Sequence, residues 1–240
     1  MDVVLGEATE VATAGVSAAA VVTCEHASAR LPAPWSWPDE DRWLVGTHWA
    51  YDLGARDVAL ELTRAIRSVG VLARFSRLLV DANRATDAVD LFRSTAEGKR
   101  VALNASVDSA ERARRLALFE GYHAAVAGAV AASPAKIVFS VHTFTPVYEG
   151  AKRAVELGVL FDEEQTLAEA LAERLSRAGF VVALNEPYSG KSGLIYAAER
   201  HARAEGRSAL ELEMRQDLAV DPSIRARAVD AVADFLRGTE

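Results

Sequence analysis

Short apolar runs that end in small or polar residues recur along the chain, and they predict buried strands. Two of them lead into a histidine: residues 18–23 precede Cys24 and His26, and residues 136–141 precede His142. In open α/β sheets, ligands bind beyond the carboxyl ends of the strands. Five further strands are predicted, at 71–75, 78–81, 157–161, 181–184 and 208–214.

Segments with apolar residues on one helical face alternate with these strands. Asp108 with Glu111 three residues later is typical of a helix start, and so is Asp221 followed by Pro222. The alternation predicts a single α/β domain over residues 17–240, with a largely parallel, buried sheet flanked by helices. Residues 1–16 are predicted to be a flexible lead-in. The predicted helices cover about 53–68, 109–131, 162–177, 194–204 and the residues from 222 onward.

Composition narrows the classes of function. A chain of 240 residues is long enough for one large core and short for two full domains. The net charge of -7 argues against a nucleic-acid surface, and no apolar stretch of about 18 residues predicts a membrane span. The acidic N-terminus lacks the basic start of a signal peptide, and the single cysteine, Cys24, cannot form an internal disulfide. We therefore expect a cytoplasmic protein.

His26 and His142 are two of only five histidines, and both follow predicted core strands. Neutral imidazole is a common zinc ligand, and a catalytic zinc takes three protein ligands and leaves a position for water. Asp52, just before the helix predicted at 53–68, is the candidate third ligand; its alternative role is to cap that helix. Glu25 is the rival carboxylate. Manganese, iron or cobalt could occupy a similar site.

Alternation in residues 210–215 places Glu211, Glu213 and Arg215 on one face of a strand. One interpretation is an edge strand whose charged face meets water. The other is a carboxylate at the carboxyl end of a strand that accepts a proton from the attacking water. Glu213 lies closer to that end than Glu211, so Glu213 is the preferred catalytic base.

Candidate contacts to an anionic substrate come from a cluster of arginines. Arg77 and Arg84 bracket the strand predicted at 78–81, and a guanidinium binds a carboxylate through two parallel hydrogen bonds. Asn83, beside Arg84, belongs to the same candidate set. The competing interpretation is that Asp81 holds an arginine in a structural ion-pair network.

A second polar loop follows the strand predicted at 181–184. Asn185 and Tyr188 are candidates for hydrogen-bonding an oxyanion, and a turn stabilised by Asn185 and Pro187 is the alternative. The remaining three histidines lack a strand-end context and are expected on the surface or on helix faces: His48, His123 and His201.

Taken in chain order, these segments resemble the N-formylglutamate amidohydrolase family. The resemblance spans roughly residues 20 to 218. Its six matching segments are Cys24-Glu25-His26-Ala27-Ser28, Asp52-Leu53-Gly54-Ala55, Ser76-Arg77-Leu78-Leu79-Val80-Asp81-Ala82-Asn83-Arg84, Val141-His142-Thr143-Phe144-Thr145-Pro146, Asn185-Glu186-Pro187-Tyr188 and Glu213-Met214-Arg215-Gln216-Asp217-Leu218.

The resemblance implies a fold similar to that of zinc-dependent exopeptidases and amidases, with a mixed, mostly parallel sheet between helices. It implies three metal ligands and one base, which carry over to this chain as His26, Asp52, His142 and Glu213.

The chain departs from the family pattern at two places. It has Glu25 where the family often has aspartate, and Arg153-Ala154 where Arg-Pro is typical. Arg153 joins Arg77 and Arg84 as a candidate for binding substrate carboxylates. Both departures bear on the identity of the substrate and leave the implied class of reaction unchanged.

We therefore expect a zinc-dependent amidohydrolase that cleaves a non-peptide C–N bond of a small acidic N-acyl amino acid similar to N-formylglutamate, giving carboxylate and amine. Two alternatives stay open. One is a metal-dependent amidase or peptidase acting on a peptide or cell-wall amide. The other is a non-catalytic domain that binds a small acidic ligand.

Overall fold

The computed structural model describes residues 1–239, and within them an eight-stranded mixed sheet lies between two layers of helices. Two small hairpins lie outside the sheet. In chain order the strands are β1 (Asp2–Leu5), β2 (Thr9–Thr13), β3 (Val21–Cys24), β4 (Val69–Ala73), β5 (Thr95–Ala96), β6 (Lys99–Arg100), β7 (Ile137–Phe144), β8 (Val147–Tyr148), β9 (Ala151–Lys152), β10 (Leu157–Leu160), β11 (Val182–Leu184) and β12 (Ser208–Arg215).

Parallel pairing dominates the middle of the sheet, whose order is β1-β2-β4-β3-β7-β12-β10-β11. Strand β3 pairs in parallel with β4 and β7, and β7 pairs in parallel with β12. Strand β10 is antiparallel to β12 and parallel to β11. This confirms the α/β class and the mixed, mostly parallel sheet. It also brings the carboxyl ends of β3, β7 and β12 to one edge.

Helices cover both faces of the sheet. The start signals behave as predicted: the Asp108 carboxylate accepts a hydrogen bond from the Glu111 N–H at 2.7 Å, and Asp221 accepts from Ser223 and Ile224. The helices are α1 (Ala55–Ala65), α2 (Ser109–Ala132), α3 (Gln165–Arg177), α4 (Tyr196–Ala204), α5 (Gln216–Ala219) and α6 (Pro222–Arg237).

Each face of the sheet has its own hydrophobic core. On one face, α1, α3 and α6 bury side chains such as Leu62, Leu171 and Val232. On the other, α2 and α4 pack over the same strands, with Phe119 and Tyr122 fully buried. A sheet covered on both sides explains the continuous apolar runs in the sequence.

The N-terminal residues correct one prediction. Residues 1–16 do not form a structureless lead-in, because β1 and β2 make an antiparallel hairpin that continues the sheet beyond β4. Every residue of β1 is exposed, so main-chain pairing holds the strand while almost no apolar burial marks it. A pattern of hydrophobic residues cannot detect such a strand.

Residues 78–81 correct another prediction, because a turn over residues 77–79 and irregular backbone at 80–81 take the place of the strand. The Ser76 hydroxyl accepts the Leu78 N–H at 3.2 Å, and the Ser76 carbonyl accepts the Leu79 N–H at 2.9 Å. A serine that binds the backbone two residues on favours a turn. The leucines are buried all the same, and for this reason their apolar run imitates a core strand.

None of the helices within residues 1–239 combines the length and the apolar character that crossing a membrane requires.

Candidate metal centre and active-site cavity

The carboxyl edge of the central strands carries the polar groups that the sequence singled out. His26 lies two residues beyond β3, and His142 lies inside β7, which runs three residues further than predicted. Glu213 on β12 is the register partner of His142. Strand β12 is an interior strand and Glu211 and Glu213 are both buried, so the interpretation of a charged face in water is wrong.

Three buried residues form a group with the chemistry of a metal site. His26, Asp52 and His142 each offer one ligand atom, and the three atoms lie within 4.8 Å of one another. Asp52 Oδ2 is 2.9 Å from His142 Nδ1 and 3.4 Å from His26 Nδ1. Two imidazole nitrogens and one carboxylate oxygen are a ligand set found at catalytic zinc sites.

The loop before α1 brings Asp52 to this position. The Asp52 N–H donates to the His26 carbonyl at 2.9 Å, which joins the two loops. Gly54 has a φ of +84°, and a Cβ there would lie 2.8 Å from Ala219 Cβ, so the turn requires glycine. Gly54, not Asp52, occupies the N-cap of α1, and it makes no side-chain cap. The Asp52 carboxylate is therefore directed at the histidines.

A second carboxylate lies behind each histidine. His26 Nε2 is 2.7 Å from Asp81 Oδ1, and His142 Nε2 is 2.8 Å from Glu25 Oε2. Each carboxylate accepts a hydrogen bond from the Nε2–H and so directs the lone pair of Nδ1 toward the group of three ligand atoms. His26 Nδ1 is buried and makes no hydrogen bond within the described residues. This outer arrangement is typical of metal-binding histidines, so the residues present fit a metal ion.

Glu25 therefore lies outside the ligand group, and Asp52 is the better candidate for the carboxylate ligand. Glu25 also accepts hydrogen bonds from Tyr122 at 2.7 Å and from Ser140 at 2.6 Å. Burial would raise the pKa of Glu25, but the hydrogen bonds from His142, Ser140 and Tyr122 outweigh it and lower this pKa to about 2. The group stays ionised and holds His142.

Charge around His142 is dominated by carboxylates. Burial opposes its imidazolium form, but Glu211, Asp52 and Glu25 together raise the pKa of His142 well above its ordinary value. Burial likewise opposes ionised Asp52, and His26 and His142 reverse this and lower the pKa of Asp52. In the absence of a metal ion, a proton on His142 therefore balances the buried negative charge.

The pKa values of Glu211 and Glu213 are shifted upward, in the opposite direction from that of Asp52. Burial is the main cause that raises the pKa of Glu211 to about 7, with Glu25 and Asp52 adding to it. Burial also raises the pKa of Glu213 well above the ordinary value, and Glu211 adds to this effect. One oxygen of each carboxylate, Oε2, is buried without a hydrogen-bond partner among the described residues. A buried carboxylate with a raised pKa is suited to proton transfer near neutral pH.

A cavity of about 690 Å³ opens onto this group. The tips of the two small hairpins, at Glu97 and Glu149, form part of its wall. Both candidate bases, Glu211 and Glu213, line it. Four arginines also line it, and they are Arg77, Arg84, Arg93 and Arg153.

Arg153 is held by three aromatic rings and, within residues 1–239, pairs with no carboxylate, whereas each of the other three arginines pairs with at least one. Its guanidinium carbon lies 5.3 Å from the Phe144 ring centroid, 4.8 Å from that of Tyr148 and 5.5 Å from that of Tyr188. Arg153 Nη1 is buried and has no hydrogen-bond partner within residues 1–239. Stacked rings fix the plane of a guanidinium while leaving its N–H groups available.

Arg77 and Arg84 are engaged by carboxylates. Arg77 is 3.0 Å from Asp81 and 3.5 Å from Asp52, so it braces the metal candidates, as the structural interpretation of this cluster expected. Arg84 is 3.1 Å from Asp90 and also donates to the Asn83 carbonyl. Both arginines also line the cavity.

Two predicted substrate contacts have other partners in the structure. The Asn83 amide donates to the Leu194 carbonyl at 2.8 Å and accepts the Ala197 N–H at 3.0 Å, which ties the loop to the start of α4. The Asn185 amide oxygen accepts from the backbone N–H groups of Phe161 and Gly190. Both asparagines therefore shape loops, as the turn interpretation of Asn185 expected, and Asn83 also lines the cavity, so its contact with a substrate stays a prediction.

Tyr188, by contrast, lines the cavity. Its loop approaches β10 closely, because the carbonyl of Glu186 lies where a Cβ of Gly158 would be. Glycine is required at that position of the strand. Burial and nearby Glu213 raise the pKa of Tyr188, so its hydroxyl stays protonated and can donate.

Sequence reasoning missed part of the cavity wall. His48, expected on the surface or on a helix face, lines the cavity, and so do its neighbour Trp49 and Arg93. These residues sit in loops with no strand-end signal, although His48 lies only four residues before Asp52. His123 and His201 are buried on α2 and α4, where they contact each other.

Comparisons with known proteins identify a family and similar folds. The sequence profile of the N-formylglutamate amidohydrolase family matches residues 18–220. A gene product of Agrobacterium tumefaciens has a similar structure, with a TM-score of 0.85, 29% identity, and coverage of 96% of this chain and 94% of that chain. The N-formylglutamate amidohydrolase from Ralstonia eutropha JMP134 is similar at a TM-score of 0.71 and 20% identity, with 97% of each chain covered. No curated protein sequence matches significantly.

The fold and the site thus define a protein of the α/β class with a candidate metal centre at the carboxyl edge of its sheet. The profile match covers most of the chain, and the chain belongs to the N-formylglutamate amidohydrolase family.

Proposed function

We propose that this protein is a zinc-dependent amidohydrolase that cleaves the amide bond of a small acidic N-acyl amino acid similar to N-formylglutamate. The observation that carries the proposal is the pair of histidines, each backed by a carboxylate and each directing Nδ1 toward Asp52. A purely structural pair of buried histidines has no need of this arrangement. The family membership of the chain supports the class of reaction.

The metal would be held by His26 Nδ1, His142 Nδ1 and Asp52. Zinc bound there would polarise the amide carbonyl and lower the pKa of a water molecule toward about 7. Two nitrogens and one oxygen favour zinc, and manganese, iron or cobalt are the alternatives that metal analysis would separate.

Glu213 is our proposed base. It lines the cavity, lies beside His142 in the sheet register and has a buried oxygen without a hydrogen bond. It accepts a proton from the attacking water and returns one to the leaving amine. Glu211 lies deeper, 3.6 Å from His142 Nε2, on the side of the ring that faces away from the ligand group. Its position suits a role in holding His142.

Arg153 is our proposed anchor for a substrate carboxylate. Its buried, unpartnered Nη1 supports this role, because an N–H group in such a place costs free energy until a ligand accepts from it. Tyr188 lies beside it and can donate to the same ligand. Arg84 contributes positive charge, and Arg77 keeps Asp52 and Asp81 in place.

A cytoplasmic location belongs to this proposal as well. Cys24 is buried and unpaired, which suits a reducing compartment. The expected partner is a small anionic molecule, and the net charge of -7 does not favour nucleic acid.

The decisive experiment compares two neighbouring carboxylates. Wild type, Glu213→Gln and Glu211→Gln would be loaded with zinc, analysed for metal content and assayed on N-formyl-L-glutamate. We expect Glu213→Gln to keep its metal and to lose turnover by about 10²–10⁴-fold. Full activity in Glu213→Gln with loss in Glu211→Gln would exchange the two roles.

The wild type itself tests the reaction. Bound zinc without turnover would redirect the search to peptide and cell-wall amides. Binding of acidic ligands without turnover on any amide, with or without zinc, would favour a non-catalytic domain.

A further inference from the structure

Charge is unevenly distributed around the cavity that holds the candidate ligands. Two of its arginines, Arg84 and Arg93, share a single counter-ion: Asp90 Oδ2 is 3.1 Å from Arg84 Nε and 3.3 Å from Arg93 Nη2. Within this group of three residues, one carboxylate for two guanidinium groups leaves one positive charge, and the Glu97 carboxylate on the same wall accepts the Trp49 Nε1–H. Both arginines retain N–H groups that Asp90 does not occupy.

Arg93 is held in place from two directions. Its guanidinium carbon lies 5.4 Å from the centroid of the Trp49 ring, which is itself fixed by a hydrogen bond from Nε1 to Glu97 at 3.1 Å. Its backbone carbonyl accepts a hydrogen bond from the Asn104 amide at 2.7 Å. A guanidinium stacked on an indole loses little further freedom when an anion binds to it.

Arg93 is also accessible to a ligand. Its side chain is 34% exposed and lines the cavity, whereas that of Arg84 is 18% exposed. Arg84 is close enough to Asp81 and Glu211 to lower their pKa values, whereas the contacts of the Arg93 guanidinium are with Trp49 and Asp90. Arg93 is therefore the more exposed of the two arginines, and Trp49, which it contacts, donates a hydrogen bond to Glu97 at the hairpin tip in the cavity wall.

We propose that Arg93, stacked on Trp49 and paired with Asp90, is a specificity-determining residue that binds a second carboxylate of the substrate at the end remote from the scissile amide. This inference rests on the proposed function and deepens it. Arg153 takes one carboxylate, and Arg93 distinguishes an acyl amino acid with a charged side chain from a neutral one of the same shape.

Binding of L-glutamate and L-glutamine tests this assignment without any turnover. The two ligands have nearly the same shape and differ in whether the distal group is a carboxylate or an amide. Calorimetric titration of the zinc-loaded protein would give both dissociation constants for wild type and for Arg93→Gln. The matched control is Arg112→Gln, because Arg112 also stacks on an aromatic ring, 5.2 Å from the Phe92 centroid, and does not line the cavity.

We expect wild type and Arg112→Gln to bind glutamate about tenfold or more tightly than glutamine, since a hydrogen bond between charged groups contributes this much. In Arg93→Gln the preference should fall to near one, with glutamine affinity unchanged. A preference that persists in Arg93→Gln overturns the inference. So does equal weakening of both ligands, which indicates a structural role, or wild type that binds neither.

The outcome is separable from that of the proposed function. If the protein hydrolyses N-formyl-L-glutamate and Arg93→Gln still prefers glutamate over glutamine, the assignment of Arg93 is wrong and the proposed reaction stands. If the preference depends on Arg93 but the protein has no amidase activity, the proposed reaction is wrong and the carboxylate subsite stands.

Discussion

Two pairs of buried histidines lie in this protein, and they have opposite surroundings. His26 and His142 lie at the strand edge with a carboxylate on each side of each ring. His123 and His201 join α2 to α4, and His123 Nδ1 is 2.8 Å from His201 Nε2. The other nitrogen of His123 donates to the Ala82 carbonyl at 3.1 Å. All four rings are at least 95% buried.

The difference shows what burial does alone and what carboxylates change. Burial is the main cause that lowers the pKa of His123 to about 3 and that of His201 to about 4, and Arg200 adds to both. At His142 the neighbouring carboxylates overcome burial and raise the pKa. A histidine pair without carboxylates is thus a neutral packing contact, whereas one surrounded by carboxylates is prepared for a cation.

Substituting one histidine of each pair should give the largest difference in bound zinc and in turnover. We expect His142→Ala to lose the bound zinc, about one per chain in the wild type, and about 10³-fold in turnover, because a metal contributes several kcal/mol to the barrier. His123→Gln should keep its zinc. Metal analysis by mass spectrometry measures both. Stoichiometric zinc in His142→Ala would exclude it as a ligand.

Substitution of the carboxylate behind a histidine should have the next largest effect on metal affinity. Asp81→Asn weakens the acceptor behind His26, and metal affinity should fall about 10–100-fold. Asp41→Asn is the matched control, because Asp41 is equally buried and accepts the Ala102 and Leu103 N–H groups away from the site. Competition with a chelating dye gives the affinities. An equal loss in both variants would point to general destabilisation.

The sequence could predict the inner part of this comparison because strands impose order. His26, His142 and Glu213 follow from apolar runs whose parallel ends must meet at one edge. Asp52 followed from its position before a helix. The structure adds that its carboxylate does not cap that helix and instead accepts a hydrogen bond from the Thr143 N–H of β7 at 3.2 Å.

Loops limited prediction elsewhere. Asp81 was considered only as a partner of an arginine, and its contact with His26 spans 55 positions with no local pattern to reveal it. The same holds for Arg93 and His48, whose side chains reach the cavity through irregular segments. Asn83 shows what a motif leaves out: it lines the cavity, as a candidate substrate contact should, and its amide also fastens the start of α4.

The neutral pair should make stability depend on pH in the acid range. The pKa of His123 is depressed on folding, so its contribution is fully present above the unfolded value of 6.5 and is lost as pH falls toward about 3. Between pH 7.5 and 5 this loss amounts to about 2 kcal/mol. Urea unfolding of wild type and His123→Gln, both free of metal, measures it as a difference between their pH profiles.

The sign of that difference distinguishes the two pairs. His142 has a raised pKa in the metal-free protein, so its contribution is present at low pH and lost as pH rises through the folded value. The depressed pKa of His123 acts in the opposite direction. In His123→Gln the free energy of unfolding should therefore decrease less between pH 6.5 and 5 than in the wild type. A profile parallel to that of the wild type would mean that His123 does not control acid stability.

Tyr122 contacts both histidine pairs, and we expect Tyr122→Phe to have the smallest effect on metal affinity. Its hydroxyl donates to Glu25 at 2.7 Å, and its ring packs at 5.4 Å from that of His123. Tyr122→Phe removes one of the hydrogen bonds that fix Glu25, but Ser140 and His142 remain, so metal affinity should fall by less than about tenfold.

The control for Tyr122→Phe is Tyr196→Phe, because the Tyr196 ring packs on His123 from 6.1 Å and its hydroxyl meets Arg200, not Glu25. Dye competition should show no change in this variant. An equal loss of metal affinity in both would mean that packing between the histidine pairs, and not the hydrogen bond to Glu25, transmits the effect. A loss confined to Tyr122→Phe would limit the coupling to the carboxylate behind His142, and the helix pair would remain a separate packing element.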